Sequence, residues 1–307
     1  MSENLKGVFA ASMSVLKEDL SLDIDETIRH AKENLDNNGV GSAFFGSTGA
    51  GALIQLEEKK QFIEALSKHK FKEQILIGTA LTSLKDTISL MKHAIEFNQV
   101  NFLIMPCCYF QNTDETVYNW YSKIIHSVPE SKIILYNFSK LNGGYAFSPE
   151  VTKRLINDFS SIIGMKDSSG NLWNNFKAEN FSMFVGSEKK LLDNLKINGA
   201  GCISATTNFS GSLARKVYDD FKKNGASSEN EKLQAVRAAF DETGNLIYDF
   251  QIYQSLYHDE YKAFFDNGQK KIIGQYSKGF KTGLWLEFDD EGNVVVEENW
   301  NNGIRIE

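Results

Sequence analysis

The run Ser161-Ile162-Ile163-Gly164-Met165-Lys166, followed directly by Asp167-Ser168-Ser169-Gly170, is apolar almost without interruption and then breaks into turn chemistry. A half-exposed strand alternates apolar and polar side chains, whereas a strand covered on both faces is apolar throughout. Comparable runs occur at Gly7–Val15, Val40–Gly46, Gln74–Thr79, Val100–Pro106, Lys132–Phe138, Phe181–Ser187 and Gly199–Ala205. The intervals between them carry helix periodicity. Ile24, Ile28, Ala31 and Leu35 recur three or four apart after two possible caps, Ser21 and Asp23, and Gly39 ends the pattern. Leu84, Ile88, Met91 and Ile95 do the same after Ser83, as do Val117, Tyr121, Ile124 and Val128 after Thr113.

Strand-then-helix units joined by crossovers imply a parallel sheet. Eight of them predict an α/β fold of the (β/α)8 TIM-barrel type, which takes about 250 residues. The rival is a doubly wound open sheet, which usually places a glycine-rich phosphate turn after its first strand. Here that strand leads into Ser14-Val15-Leu16-Lys17, so the barrel is favoured.

Composition narrows the function. The 307 residues carry 33 basic and 40 acidic side chains, a net charge of −7, which argues against nucleic-acid or anionic-membrane partners held by bulk charge. No apolar run reaches the ~18 residues of a membrane span. The N-terminus lacks a basic-then-apolar signal region, and the expected location is the cytoplasm. Three cysteines (Cys107, Cys108, Cys202) suit neither a disulfide framework nor a zinc site. No histidine pairs with acids at ligand spacing, so no metal is expected.

The expected domains are the barrel over 1–224, a helical segment over 225–257 with Leu233, Val236, Ala239 and Phe240 on one face, and a glycine- and aromatic-rich tail over 258–307. In that tail an offset of 24 residues carries Tyr261 to Trp285, Phe264 to Phe288, Asp266 to Asp290, Gly268 to Gly292, Tyr276 to Trp300 and Gly279 to Gly303. A repeat of aromatic strand and Asp-x-Gly turn is hairpin chemistry and resembles MORN-type repeats. Two hairpins are marginal alone, so the tail either recruits a protein partner or covers apolar surface left by the shortened helical region.

Active sites of eight-stranded barrels lie at the carboxyl ends of the strands. Three sequences stand out there. Gly46-Ser47-Thr48-Gly49-Ala50-Gly51 offers hydroxyls and backbone N–H groups that can hold an anion. Tyr136, in Leu135-Tyr136-Asn137-Phe138, points either into the barrel mouth or toward the helices. Lys166 closes an apolar strand, where burial disfavours an ammonium; the neutral amine is the form that attacks a ketone. Neighbouring strands run ~4.8 Å apart, so Tyr136 and Lys166 can share one pocket.

Together with Gly186-Ser187-Glu188 and Gly201-Cys202-Ile203-Ser204-Ala205-Thr206-Thr207-Asn208, these motifs resemble the N-acetylneuraminate lyase and dihydrodipicolinate synthase family, from about Gly7 to Asn245. The resemblance implies a carbon–carbon lyase of the class I, Schiff-base kind, acting on pyruvate or a related 2-oxo acid without an added cofactor. Lys166 would form the imine, Tyr136 would relay protons, and Ser47, Thr48, Gly49 and Ser204 would bind substrate. It also implies a homo-oligomer.

The chain departs from the family in three places. Leu141 stands where synthases of aspartate semialdehyde carry an arginine, which favours a sugar-acid-type substrate over dihydrodipicolinate synthesis. In Pro106-Cys107-Cys108-Tyr109-Phe110 the inter-subunit relay tyrosine is re-registered to Tyr109 or missing. Ala50 replaces the usual glutamate. These departures, with the shortened helical region, leave a further alternative: a non-catalytic binding barrel whose tail recruits a partner.

Overall fold

The structure is a computed structural model describing residues 5–108, 110–238, 248–253, 256–265, 268–277, 280–301 and 304–306. It divides into two units, residues 1–233 and 234–307.

The first unit is the expected closed barrel. Its strands are β1 (Gly7–Ala11), β2 (Gly41–Phe44), β3 (Ile75–Gly78), β4 (Asn101–Ile104), β5 (Lys132–Asn137), β6 (Ile162–Asp167), β7 (Ser182–Val185) and β8 (Gly201–Ser204), each paired with the next. β8 returns to β1 in parallel, with Gly7 opposite Gly201. That seam needs two glycines: Gly201 has φ +144, and a Cβ on it would overlap the Gly7 carbonyl. The pleat sorts the side chains. Phe9, Ala11, Ala43, Leu76, Leu103, Ile134, Tyr136, Phe184 and Ile203 pack together inside the barrel, with Phe9 and Phe184 edge to face at 5.6 Å. Their chain neighbours, such as Phe44, Ile77, Ile104 and Leu135, join the layer beneath the helices.

The helices are α1 (Ile24–Lys32), α2 (Leu56–Ser67), α3 (Leu84–Glu96), α4 (Asp114–Ser127), α5 (Pro149–Asp158), α6 (Leu191–Lys196), α7 (Thr207–Asn224) and α8 (Asn230–Ala238). Of the two possible first caps, Asp23 takes the role, accepting from Glu26 N at 3.1 Å. Ser83 and Thr113 cap as their spacing suggests. The α1 pattern ends in a π-helical turn over Glu33–Asn37 before Gly39, which has φ +65. One unit departs from strand-then-helix: residues 168–181 connect β6 to β7 by turns, with Leu172 and Phe176 buried in place of a helix face.

The second unit is a six-stranded antiparallel sheet in chain order: β9 (Tyr248–Tyr253), β10 (Leu256–Phe264), β11 (Lys270–Ser277), β12 (Phe280–Phe288), β13 (Val294–Asn301) and β14 (Ile304–Ile306). The repeat partners Tyr261 and Trp285 stack at 5.3 Å, and Tyr276 meets Trp285 edge-on at 5.0 Å. Gly274 makes room for Trp285, whose ring a Cβ there would overlap. Within the range expected to be helical, α8 is described to Ala238 and β9 occupies Tyr248–Tyr253. Tyr248-Asp249-Phe250-Gln251-Ile252 alternates with period two, the strand signature, and that local pattern prevails. Ala239 and Phe240 lie outside the described residues.

Candidate active site at the barrel mouth

β5 and β6 pair in parallel with Tyr136 opposite Lys166 and Asn137 opposite Asp167. Leu135 and Met165 face the helices, so the same pleat turns Tyr136 and Lys166 inward. Both are almost fully buried, at 4% and 3% exposure. Lys166 Nζ donates to Tyr136 Oη at 3.4 Å and lies 4.4 Å from the centre of the phenol ring. Tyr136 Oη in turn lies 2.9 Å from Ser47 Oγ. An amine, a phenol and a hydroxyl from three strand ends thus form one hydrogen-bonded line.

The residues beside this line anchor the strand ends that carry it. Asp167 is buried and faces away from the barrel interior, accepting from Gly170 N, Leu172 N and Trp173 N, each at 2.8 Å, and from Asn137 Nδ2 at 2.9 Å. Asn137 also donates to Asn171 Oδ1 and accepts from Phe147 N. The residue after each inward side chain therefore ties its strand end to the following turn. Asp167→Ala would leave three backbone donors without their acceptor, and the expected loss is about 3–5 kcal/mol. Urea unfolding measures it; a loss below about 1 kcal/mol would contradict this role.

The turn carrying Ser47 is held by Gly51 N to the Gly46 carbonyl (3.0 Å), Ala50 N to the Ser47 carbonyl (3.1 Å) and Ser14 Oγ to the Gly49 carbonyl (2.6 Å). Phe45 and Ala50 flank it at φ +55 and +49, left-handed values unusual for residues with a side chain. Ser47 is exposed, Thr48 half-buried and Gly49 buried. Behind this turn lies Lys59 of α2, fully buried, its Nζ donating to the Thr79 carbonyl at 2.8 Å and sitting 5.8 Å from the Phe45 ring.

Burial lowers the Lys59 pKa from 10.5 to about 8. Below about pH 8 both folded and unfolded chains hold the proton. Between there and 10.5 only the unfolded chain does, so stability rises with pH across that window. Relative to Lys59→Met, the wild-type chain should gain about 2–3 kcal/mol between about pH 8 and pH 10. Denaturant titrations at the two pH values measure this, and a constant difference would refute it.

Ser204, expected to bind substrate, closes β8 and is buried, with its hydroxyl turned to a carboxylate. Glu188, fully buried after β7, accepts from Ser204 Oγ and Thr206 Oγ1, and from Ser210 Oγ at 3.0 Å. The Ser204 hydroxyl proton is thus committed to a carboxylate that joins the ends of β7 and β8 to the start of α7. Tyr109 lies outside the described residues. No group of three or more His, Cys, Asp or Glu side chains suited to a metal ion occurs among the described residues. No described helix is long and apolar enough to cross a membrane.

Residues 4–248 match the profile of the dihydrodipicolinate synthetase family. The chain belongs to that family. Members of the dihydrodipicolinate synthetase family are pyruvate-dependent carbon–carbon lyases, and the chain is an enzyme of that aldolase and lyase class. It is 28% identical over 184 residues to a 2-dehydro-3-deoxy-D-gluconate/2-dehydro-3-deoxy-phosphogluconate aldolase of Picrophilus torridus, covering 58% of this chain and 67% of that one. It is 27% identical over 254 residues to a 4-hydroxy-tetrahydrodipicolinate synthase of Methanopyrus kandleri, covering 79% and 84%. The solved structure of the 2-keto 3-deoxygluconate aldolase from Picrophilus torridus shares the fold at a TM-score of 0.65 and 24% identity, over 76% of this chain and 83% of that one.

Against the family pattern, Leu141 ends a short 3-10 turn (Ser139–Leu141) and is 45% exposed. An apolar side chain therefore occupies the position expected of a carboxylate-binding arginine.

Three groups of the site carry little sequence signal: Asp167 and Glu188 stand inside motifs that give them no role, and Lys59 lies on a helix outside any motif. An acid immediately after an inward lysine, or directly after a strand-ending glycine and serine, was the available signal for the first two.

Proposed function

We propose that this chain is a Schiff-base aldolase that makes or breaks a bond between pyruvate and the remainder of a hydroxylated, sugar-acid-type 2-oxo acid. The observation that carries this reading is the hydrogen-bonded line from the buried Lys166 Nζ through the buried Tyr136 Oη to Ser47 Oγ at the exposed end, at 3.4 and 2.9 Å.

The Lys166 amine adds to the keto carbon, the carbinolamine loses water, and a protonated imine results. That imine draws electrons from the adjacent carbon, so a C–H or C–C bond there breaks to leave an enamine. Tyr136 touches both the amine and Ser47, and moves protons at the carbinolamine and at the alkoxide of the second substrate. Ser47, Thr48 and the N–H of Gly49 hold the 2-oxo acid's carboxylate. Ser204 acts one step back, through Glu188, by fixing the β8–α7 connection. The imine is itself the electron sink, so the scheme calls for no metal or added cofactor. As in the family at large, assembly into a homo-oligomer is part of the proposal, as is a cytoplasmic location.

Leu141 and the similarity to a 2-dehydro-3-deoxy sugar-acid aldolase support the choice of substrate class. Incubation with a set of 2-dehydro-3-deoxy sugar acids should release pyruvate from at least one at ordinary enzymatic rates (~10 s⁻¹). Condensation of pyruvate with aspartate semialdehyde at such a rate, with no sugar acid cleaved, would replace this substrate class by that of the synthases.

A further inference from the structure

Cys107 and Cys108 follow β4 in the loop toward α4, on the rim next to the strand that carries Tyr136. Both are free and half-buried. The third thiol, Cys202, is fully buried in β8, and burial, reinforced by the Glu188 carboxylate, pushes its pKa well above the ordinary value. Two accessible thiols on adjacent residues thus contrast with one inert thiol in the same chain.

We infer that Cys107 and Cys108 form a reversible oxidation site for hydroperoxides, closing on each other as a disulfide across their shared peptide bond. Cys107 Sγ is held at 3.7 Å from the Thr82 carbonyl, so the first attack is assigned to Cys108. Its sulfur takes one peroxide oxygen and the other leaves as the alcohol, or as water from hydrogen peroxide, with the thiol's proton. Cys107 then attacks the sulfenic sulfur, the S–S bond forms, and the oxygen departs as water with the second proton. The peroxide gains the two electrons that the thiols lose. The second step is intramolecular and outruns attack by any thiol in solution.

Adjacent α-carbons lie ~3.8 Å apart, closer than the ~4.4–6.8 Å of ordinary disulfides, so the bridge is strained and readily reduced. Closing it turns the peptide that holds the loop. Asn112 Nδ2 donates to the Cys107 carbonyl at 2.6 Å and to Asn142 Oδ1 at 2.9 Å, linking this loop to the one after β5. Oxidation therefore disturbs the rim above Tyr136 while leaving the strands that hold Lys166 intact.

The test is intact-mass and peptide mass spectrometry of the ligand-free protein after a short exposure to stoichiometric hydrogen peroxide. Its readout does not depend on aldolase activity, so it can fail while the proposed reaction stands, and the reverse. The expected product has lost two hydrogens within the peptide bearing Cys107 and Cys108, keeps Cys202 as a thiol, and regains its mass with dithiothreitol. Cys107→Ser and Cys108→Ser should each abolish that loss. Two freely alkylated thiols after exposure, a stable oxygen adduct on one of them, or a bridge between chains would each overturn the inference.

Discussion

Lys166→Ala should bring carbon–carbon cleavage down to background, a loss on the order of 10⁵–10⁶ in kcat, as expected when the covalent nucleophile itself is removed. The buried amine has a phenol oxygen at 3.4 Å and the centre of the same ring at 4.4 Å, and it is the group to which the imine is assigned. The variant should still fold, since Lys166 is a single inward side chain on a strand whose end is anchored by Asp167. Turnover assays with circular dichroism as the control measure this. A folded variant that keeps more than about one-thousandth of the wild-type rate would place the nucleophile elsewhere.

Tyr136→Phe should lower kcat by about 10²–10⁴, the usual range for a positioned acid or base. Phenylalanine keeps the ring in the barrel's interior cluster and the contact with Phe138 at 6.0 Å. It removes only the oxygen joining Lys166 to Ser47. Affinity for pyruvate should change little, because the carboxylate is assigned to the turn over residues 46–51. Imine formation should persist more slowly, so trapped adduct and turnover separate in this variant as they do not in Lys166→Ala. A Tyr136→Phe enzyme with kcat within about threefold of wild type would show that protons move by another route.

Much of the barrel was legible because its signals are local. Apolar runs such as Lys132–Phe138 and Ser161–Lys166 read as strands covered on both faces, and the strands lie at Lys132–Asn137 and Ile162–Asp167; Ser83 and Thr113 marked the helix starts they cap. That Tyr136 and Lys166 could share a pocket followed from strand order, and the register that sets them opposite each other comes from the structure. Where sequence reading failed, a weak local pattern met a tertiary constraint. No periodicity signalled that residues 168–181 would stay in turns, because the Asp167 carboxylate satisfies the backbone donors there that a helix would have satisfied. The motif places Ser204 at a strand end without naming its hydrogen-bond partner, since a serine's direction there depends on the pleat and on what lies across the turn. Here the partner is Glu188, sixteen residues earlier in the chain. Lys59 was invisible because a lysine on an amphipathic helix reads as solvated until the strand end it reaches is known.

The most direct measurement is to incubate the wild-type protein with pyruvate, reduce with borohydride, and locate the added mass by peptide mapping. The expected result is one irreversible adduct, the reduced pyruvyl group on the Lys166 nitrogen, in nearly every chain. An unmodified protein, or an adduct confined to some other lysine, would contradict it.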